Sequence, residues 1–317
     1  MRARIRDFIE TKDGWIFAVA DYHHPRGVRS LLRYVPHPQG EREAGGRRFR
    51  KLDFDQSFDF LRRERPDYIE DLHVVPVGEV SRRYDPVECL TDVAQADSRL
   101  ERIVELLEDG GIERRSMGIT GSMLIGLQGP TSDIDFVAYG KAWFFARDII
   151  RQAKADGLIE ELNDAMWRKI YAKRRPEISF SEFVLHERRK GNRGVIDGTY
   201  FDLLFTREWD QIGGSPRSPG RFIGRVKVVG EVVDAEYAFD SPSILKLDGD
   251  VEEIACFSHT YAGQALPGET VEAVGVLEET ASGFCLVVGT TREARGEWIR
   301  SLSLLGLDSP AGLSVIE

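Results

Sequence analysis

The chain has 317 residues, enough for two or three domains and a substantial hydrophobic core. Hydrophobic residues make up 42% and charged residues 30%, which excludes a disordered, fibrous or membrane-spanning protein. With 43 basic against 53 acidic side chains the formal net charge is −10, which by itself argues against a nucleic-acid partner.

The negative charge is concentrated in the last third of the chain. Residues 228–317 carry 4 basic and 16 acidic side chains, whereas residues 1–90 carry 17 and 16, and residues 91–227 carry 22 and 21. This change in composition predicts a domain boundary between the second and third segments. The nearly balanced first two segments remain compatible with a polyanionic partner.

No feature of the sequence predicts export or a membrane partner. The first residues contain no apolar signal core, and no run of about 18 apolar residues occurs. Cys89, Cys256 and Cys285 form no CxxC pair, so neither a zinc knuckle nor a disulfide framework is indicated. We therefore expect a cytoplasmic protein.

The first 90 residues are predicted to form strands joined by turns. Strands are expected at Ile5–Glu10 and Trp15–Tyr22, and Asp13-Gly14 between them is a strong β-hairpin signal. Two more strands are expected at Ser30–Val35 and Leu72–Val80.

Residues from Arg26 to Lys51 include eight basic and two acidic side chains. Gly45-Gly46 marks a loop in this segment. Arginine side chains suit forked contacts with anions, so the segment is a candidate anion-binding arm. A solvated basic loop explains it equally well.

The middle of the chain is predicted to mix helices and strands. Apolar residues at three- and four-residue spacing predict a helix from Thr91 to Asp109, ended by Gly110-Gly111. Shorter apolar runs and the Arg175-Pro176 break define the other elements. Strands are expected at Ser116–Thr120, Ile134–Tyr139, Ile178–Leu185 and Thr199–Phe205, and helices at Lys141–Asp156 and Leu158–Arg174.

A turn-rich linker is predicted at residues 213–220, and short strands are predicted after it. Their spacing suits a small antiparallel barrel or sandwich, closed by a short helix at Trp298–Leu305. The predicted strands are Phe222–Val233, Val251–Phe257, Thr270–Leu277 and Gly283–Val288.

These elements predict the α+β class. We expect a β-rich N-terminal domain at residues 1–90 and a catalytic domain with a mixed sheet and flanking helices at residues 91–212. An acidic, β-rich, barrel-like domain is expected at residues 221–317.

Two acidic residues at the start of a buried strand are the first candidate site residues. Alternate strand residues share a face, so Asp133 and Asp135 are predicted to project together while Ile134 points away. Two adjacent carboxylates need a cation, and Mg²⁺ or Mn²⁺ suits paired oxygen ligands. Calcium fits less well, because its loops need polar, turn-forming residues where Phe136 and Val137 stand.

Gly121-Ser122, about eleven residues upstream, is a candidate phosphate cradle. Glycine lets the backbone approach a phosphate closely, and the serine is predicted to cap a following helix whose first amides can bind an anion. A Walker loop is excluded because Leu127-Gln128 follows Gly126. A nucleophile elbow, Gly-x-Ser-x-Gly, is excluded because Thr120 and Leu124 stand where its two glycines would be.

Asp202 is the candidate third acid. It lies at the centre of the apolar segment Tyr200–Phe205, where an ionised carboxylate is costly without a cation or another partner. We expect its strand to lie beside the strand of Asp133 and Asp135.

Gly121, Ser122, Asp133, Asp135 and Asp202 together resemble the motif of the DNA polymerase beta-like nucleotidyltransferase superfamily. The resemblance covers roughly residues 95–210, and the whole chain is similar to archaeal predicted nucleotidyltransferases of unassigned substrate. It implies that Asp133 and Asp135 bind two metal ions and that Asp202 helps bind one and acts as or near the general base. It also implies that Gly121 and Ser122 contact the nucleoside triphosphate.

The resemblance implies Mg²⁺- or Mn²⁺-dependent transfer of a nucleoside monophosphate to a hydroxyl, by a two-metal mechanism with pyrophosphate release. Arg168 and Lys169 are candidate triphosphate ligands, although a solvated helix face also explains them. Among RNA, protein and small-molecule acceptors, the basic segments at 26–51 and 188–193 slightly favour an RNA end. The alternative is a catalytically inactive module of the same fold that binds nucleotide or RNA.

Overall fold

The computed structural model describes residues 1–129, 132–213, 219–291 and 294–316. The chain forms two compact units. Apart from the residues left out above, the first contains Met1–Glu161 and Asn192–Pro216, and the second contains Leu162–Gly191 and Arg217–Glu317. Helices and several sheets occur together, which confirms the predicted α+β class.

A seven-stranded sheet forms the start of the first unit. Its strands are β1 (Phe8–Thr11), β2 (Ile16–Val19), β3 (Val28–Pro36), β4 (Arg42–Ala44), β5 (Arg47–Lys51), β6 (His73–Val75) and β7 (Val80–Tyr84). They are ordered β4-β5-β3-β2-β1-β7, with β6 also paired to β3. Leu61 of helix α1 (Phe54–Glu64) packs with Ile9 and Phe17 in the buried core of this sheet.

Glycine turns join two hairpins of this sheet. Gly14, with φ of 77°, lies between β1 and β2, as the Asp-Gly pair predicts. Gly45 and Gly46, with φ of 55° and 73°, join β4 to β5, where Ala44 pairs with Arg47. Two successive glycines of positive φ suit a tight hairpin turn. The segment expected to be a basic arm with a loop is therefore largely strand.

A four-stranded mixed sheet forms the rest of the first unit. Its strands are β8 (Met117–Thr120), β9 (Ile134–Tyr139), β10 (Arg193–Ile196) and β11 (Thr199–Thr206). Their order is β10-β11-β9-β8, with β11 parallel to β9 and the other pairs antiparallel. Phe136 and Leu203 at its centre are fully buried. Four helices belong to this part of the unit, namely α2 (Pro86–Ala96), α3 (Ser98–Asp109), α4 (Gly121–Leu124) and α5 (Lys141–Ala155).

The single helix predicted from Thr91 to Asp109 is divided at Asp97. This residue ends α2 and begins α3 in an extended conformation, with φ of −138° and ψ of 104°. Its side chain accepts a hydrogen bond from the amide of Arg99, as a helix N-cap does. The apolar spacing continues through the break, so periodicity alone predicts one helix.

The described residues of the second unit form three α-helices and a seven-stranded sheet. Five strand pairings, β12–β13, β13–β14, β14–β16, β16–β15 and β15–β12, close a ring, in which only β14 and β16 run parallel. The segment predicted as a helix from Trp298 begins as a strand. The elements are α6 (Asp164–Arg174), α7 (Phe180–Lys190), β12 (Arg221–Asp234), β13 (Ser243–Asp248), β14 (Val251–Cys256), β15 (Thr270–Thr280), β16 (Gly283–Val288), β17 (Trp298–Ser301), α8 (Leu302–Leu305) and β18 (Gly312–Val315).

The strand predicted at Ile178–Leu185 is wrong, because this segment forms most of helix α7. Ser179 accepts a hydrogen bond from the amide of Glu182, and the Glu182 side chain accepts one from the amide of Ser179. This capping box favours a helix over the strand suggested by the apolar residues. Helix α6 also begins later than predicted, since Asn163 caps it by accepting from the amide of Met166.

The structure divides into two compact units, and the three domains at residues 1–90, 91–212 and 221–317 stay a prediction. The predicted linker at 213–220 lies mostly outside the described residues. Within the described ranges, no helix has the length and apolar character needed to cross a bilayer.

Candidate functional site

Four residues form a row across the mixed sheet. Asp135 on β9 pairs in register with Thr120 on β8 and with Asp202 on β11. Asp202 in turn pairs with Arg193 on β10. Two acidic side chains and one arginine thus occupy neighbouring positions on three adjacent strands.

Asp133 lies directly before this sheet. Strand β9 begins at Ile134, which is fully buried, so Asp133 precedes the strand on which it was expected. Asp133 is exposed and Asp135 is half-buried. The two acids therefore differ in solvent access, although they are only two residues apart.

Asp202 is buried, with 5% of its surface exposed, and three neighbours hydrogen-bond its carboxylate. Asn192 Nδ2 donates to Oδ1 at 3.0 Å, and Arg193 Nε and the Tyr200 hydroxyl donate to Oδ2, each at 3.2 Å. A cationic partner is what the burial of this charge requires. Here the structure provides the Arg193 guanidinium.

The pKa of Arg193 reflects this pairing. Burial lowers it, but the charge of Asp202 and interactions with Tyr200 more than compensate, so the pKa lies above its ordinary value. Arg193 therefore keeps its positive charge beside Asp202.

The sequence predicts Arg193 only as part of the basic segment at 188–193, so its contact with Asp202, like that of Asn192, was missed. A signal was available in Asp197-Gly198. Their φ values of 46° and 72° form a two-residue turn, and Ile196 pairs with Thr199 across it. Counting back from that turn places Arg193 opposite Asp202.

Gly121 brings backbone against the Asp135 carboxylate. Its φ is 67°, and a Cβ added there would lie 2.2 Å from Asp135 Oδ2. Both the conformation and the lack of space require glycine. The close approach expected of this glycine is thus made towards an acidic side chain.

Ser122 does not cap a helix as predicted. It lies inside the single-turn helix α4, whose N-cap residue is Thr120. The Ser122 hydroxyl donates to Ser132 Oγ at 3.3 Å, and Ser132 Oγ also accepts from the Gly129 amide at 2.9 Å. Ser122 thereby joins the Gly-Ser segment to the residue before Asp133.

Other basic candidates occupy different environments. Arg168 and Lys169 are exposed on α6 in the second unit, and the Arg168 guanidinium lies 4.8 Å from the Phe180 ring centroid. Their role in triphosphate binding remains a prediction.

The predicted basic loop at residues 188–193 is wrong. Arg188, Arg189 and Lys190 belong to helix α7, and each has an acidic partner. Lys190 is buried, with Nζ 2.5 Å from Glu187 Oε1. Residues engaged in this way do not provide a free basic surface.

The chemistry of the acidic side chains fits a hard divalent cation, since carboxylate oxygens are the ligands that Mg²⁺ and Mn²⁺ prefer. Asp135 and Asp202 stand side by side in register. Among the described residues, however, no three His, Cys, Asp or Glu side chains converge as a ready-made metal site.

Comparison with known proteins supports the interpretation of the motif. The family model "Nucleotidyltransferase domain" matches residues 100–190, a range that contains Gly121, Ser122, Asp133 and Asp135 but ends before Asp202. The chain is also similar to the "Uncharacterized protein MJ1086" of Methanocaldococcus jannaschii. The two are 39% identical over 339 aligned residues, which cover 95% of this chain and 99% of the relative. No solved structure matches the chain significantly.

Proposed function

Because the chain belongs to the DNA polymerase beta-like nucleotidyltransferases, we propose that it transfers a nucleoside monophosphate from an NTP to a hydroxyl acceptor. The observation that carries the proposal is the junction of Gly121, Asp135 and Asp202. Backbone at Gly121 touches the Asp135 carboxylate, and Asp202 is the in-register neighbour of Asp135. A phosphate group brought to Gly121 would therefore meet the acidic pair.

Asp133, Asp135 and Asp202 are the proposed ligands of two Mg²⁺ or Mn²⁺ ions, which would offset the triphosphate charge and lower the pKa of the acceptor hydroxyl. Gly121 would leave room for the phosphates, and the Ser122 hydroxyl would donate a hydrogen bond to one of them. Arg193 would orient Asp202 through their 3.2 Å contact. The main contribution of these residues is to position the reactants and complement their charge.

In the proposed reaction the acceptor oxygen forms a bond to the α-phosphorus. The bond from that phosphorus to the bridging oxygen breaks, and pyrophosphate leaves with the bonding electrons. The hydroxyl proton passes to a base, for which Asp202 is the proposed residue.

The cytoplasm is the proposed location of the protein.

An RNA end, a protein hydroxyl and a small molecule remain candidate acceptors. The helical, ion-paired residues 188–190 no longer favour RNA. The remaining basic support is the hairpin of β4 and β5, where Arg48 and Arg50 are exposed. RNA therefore keeps a slight preference on this hairpin alone.

A second candidate function is nucleotide or RNA binding without turnover. The contacts of Asp202 with Arg193, Asn192 and Tyr200 favour it, because a carboxylate already hydrogen-bonded is less available to a cation. This module would bind NTP with Mg²⁺ and release no pyrophosphate with any acceptor.

The proposal is tested by incubating the protein with Mg²⁺ or Mn²⁺, each of four α-labelled NTPs, and total cellular RNA or protein. Label transfer with equimolar pyrophosphate is expected, and Asp135→Ala should reduce it about a hundredfold or more. Asp148→Ala is the matched control, since this aspartate lies on α5 of the same unit with 62% of its side chain exposed. Equal transfer by both variants would disprove the assignment, and NTP binding without transfer would favour the second candidate.

A further inference from the structure

Arg42 of the N-terminal sheet lies at the Gly-Ser segment of the mixed sheet. Its NH1 donates to Ser132 Oγ at 3.4 Å, the same oxygen that accepts from Ser122. A Cβ added to Gly129 would lie 2.1 Å from this NH1. The guanidinium therefore packs against Gly129 and Ser132, which lie between Ser122 and Asp133 in the chain.

Among the described residues, no carboxylate oxygen lies within ion-pair distance of the Arg42 guanidinium, and the side chain donates a hydrogen bond to the neutral Ser132 hydroxyl. Burial opposes it, but backbone hydrogen bonds and the charge of Arg42 lower the pKa of the exposed Glu41, so Arg42 interacts with this carboxylate without forming an ion pair. Arg47, the next arginine along the hairpin, instead donates to Glu10 at 2.8 Å. A half-buried arginine that forms no ion pair among the described residues is suited to bind an anion supplied from solution.

Arg42 also lies close to the candidate metal ligands. Ser132, whose hydroxyl it contacts, directly precedes Asp133 in the chain. Gly121 in turn approaches the Asp135 carboxylate. An anion held between Gly121 and Ser132 would be near a cation on one side and the acidic pair on the other.

We propose that Arg42 binds the triphosphate of the NTP, so that the N-terminal sheet supplies one wall of the nucleotide site. This inference rests on the proposed function and adds to it a residue outside the matched range of 100–190. The planar guanidinium can form paired hydrogen bonds with phosphate oxygens, whereas Ser122 can offer only one donor. It also assigns a purpose to the Gly129 backbone, which leaves space for the arginine.

The test compares Arg42→Gln, Arg42→Lys and the control Arg63→Gln. Glutamine keeps an amide donor but is shorter than arginine and has no charge, and lysine keeps the charge. Arg63 lies on α1 of the same unit and is exposed, so its replacement removes the same charge outside the β4–β5 hairpin. Calorimetry with Mg²⁺ would measure binding of ATP, GTP, CTP and UTP, the matching diphosphate and monophosphate, and inorganic tripolyphosphate. Thermal unfolding would verify that each variant is folded.

Arg42→Gln is expected to weaken NTP and tripolyphosphate binding about tenfold or more, with monophosphate binding changed less than about twofold. Arg42→Lys should retain part of the affinity, and Arg63→Gln should match the unaltered protein. Equal losses in Arg42→Gln and Arg63→Gln, or none in either, would overturn the role of Arg42 while leaving the proposed function in place. If the unaltered protein binds no NTP, the proposed function itself fails, and this inference fails with it.

Discussion

Asp202 on β11 is the in-register neighbour of Asp135 on β9, and Arg193 on β10 holds its carboxylate from the other side. Asp202 therefore has a negatively charged neighbour on one side and a positively charged neighbour on the other. Because Asp202 and Arg193 are both buried, each depends on the other for charge compensation. This interdependence can be measured as a coupling free energy.

We expect Arg193→Gln and Asp202→Asn each to reduce the free energy of unfolding by about 3 kcal/mol, since each leaves a buried charge without its partner. The double variant should lose less than the sum, with a coupling of about 1–3 kcal/mol. Urea unfolding of the four proteins measures this cycle.

The exposed pair of Asp59 and Arg62 is a matched control, with 61% and 63% of the side chains accessible. Its cycle, made with Asp59→Asn and Arg62→Gln, should give a coupling below about 0.5 kcal/mol. Similar couplings in the two cycles would contradict a special role for the buried pair.

Gly121→Ala is expected to disturb Asp135 directly. The new methyl group would lie 2.2 Å from the Asp135 carboxylate at a residue with φ of 67°. Gly111→Ala is the control, because Gly111 has φ of 90° with nothing within 4 Å of the added Cβ. Both variants should lose about 1 kcal/mol of stability from the left-handed backbone. Gly121→Ala alone should lose further stability and abolish nucleotidyl transfer. Equal effects of the two substitutions on stability and transfer would show that the close approach to Asp135 is unimportant.

From the raised pKa of Asp7 we expect the free energy of unfolding to fall as pH rises. Burial, with a smaller contribution from the charge of Asp85, raises the pKa of Asp7 to about 7 against an ordinary value of 3.8. Between these values the folded chain retains a proton that the unfolded chain has lost, so this group stabilises the fold less at pH 8 than at pH 4. Asp7→Asn removes this titration. Relative to the unaltered protein, it should gain a few kcal/mol of stability between pH 4 and pH 8.

The control for this prediction is Asp148→Asn, at an exposed aspartate of the same unit. Its stability difference from the unaltered protein should stay nearly constant over the same pH range. A constant difference for Asp7→Asn as well would contradict the raised pKa.

From the lowered pKa of His186 we expect the opposite pH dependence of stability in the second unit. Burial lowers its pKa to about 4, and its Nε2 accepts a hydrogen bond from the Ser301 amide at 2.9 Å. The folded chain thus remains neutral at His186 where the unfolded chain binds a proton, so stability is lost as pH falls from about 6.5 to 4. Hydrogen exchange of peptides covering 298–305 should show falling protection over that range, after correction for intrinsic rates.

His186→Gln should flatten this pH dependence, whereas His37→Gln, at a half-exposed histidine in the first unit, should leave it unchanged. Unaltered protection of 298–305 down to pH 4 would contradict the interpretation of His186.

The two central strands of the candidate site could be predicted from the sequence because each is a mostly apolar run that contains a single aspartate. The predicted Ile134–Tyr139 has the observed bounds of β9, and Thr199–Phe205 ends one residue before β11 does. Strands of this kind leave few alternatives for a charged residue, which explains why Asp135 and Asp202 could be singled out.

The remaining parts could not be predicted from apolar periodicity because they depend on polar contacts, some local and some between distant segments. Periodicity gives no sign that Asp97 interrupts a helix or that Ser179 and Glu182 cap one. Arg42 and Ser132 are 90 positions apart, and only the folded chain brings them within hydrogen-bond distance. Pairing of that range cannot be obtained from local propensity.

Residues 162–191 belong to the second unit, although the chain before and after them belongs to the first. A chain shortened after residue 213 would keep the whole row on the mixed sheet, yet His186 and Arg189 of α7 would lose Ser301 and Glu269. The apolar side of α7 would then be open to water, which promotes aggregation. Glu160 and Val195 exchange two backbone hydrogen bonds of 2.9 Å, so the two ends of this insertion already lie side by side. A shortened protein that keeps the mixed sheet without the second unit therefore needs two changes. Residues 162–191 are replaced by a short turn joining 161 to 192, and the chain is ended after residue 213.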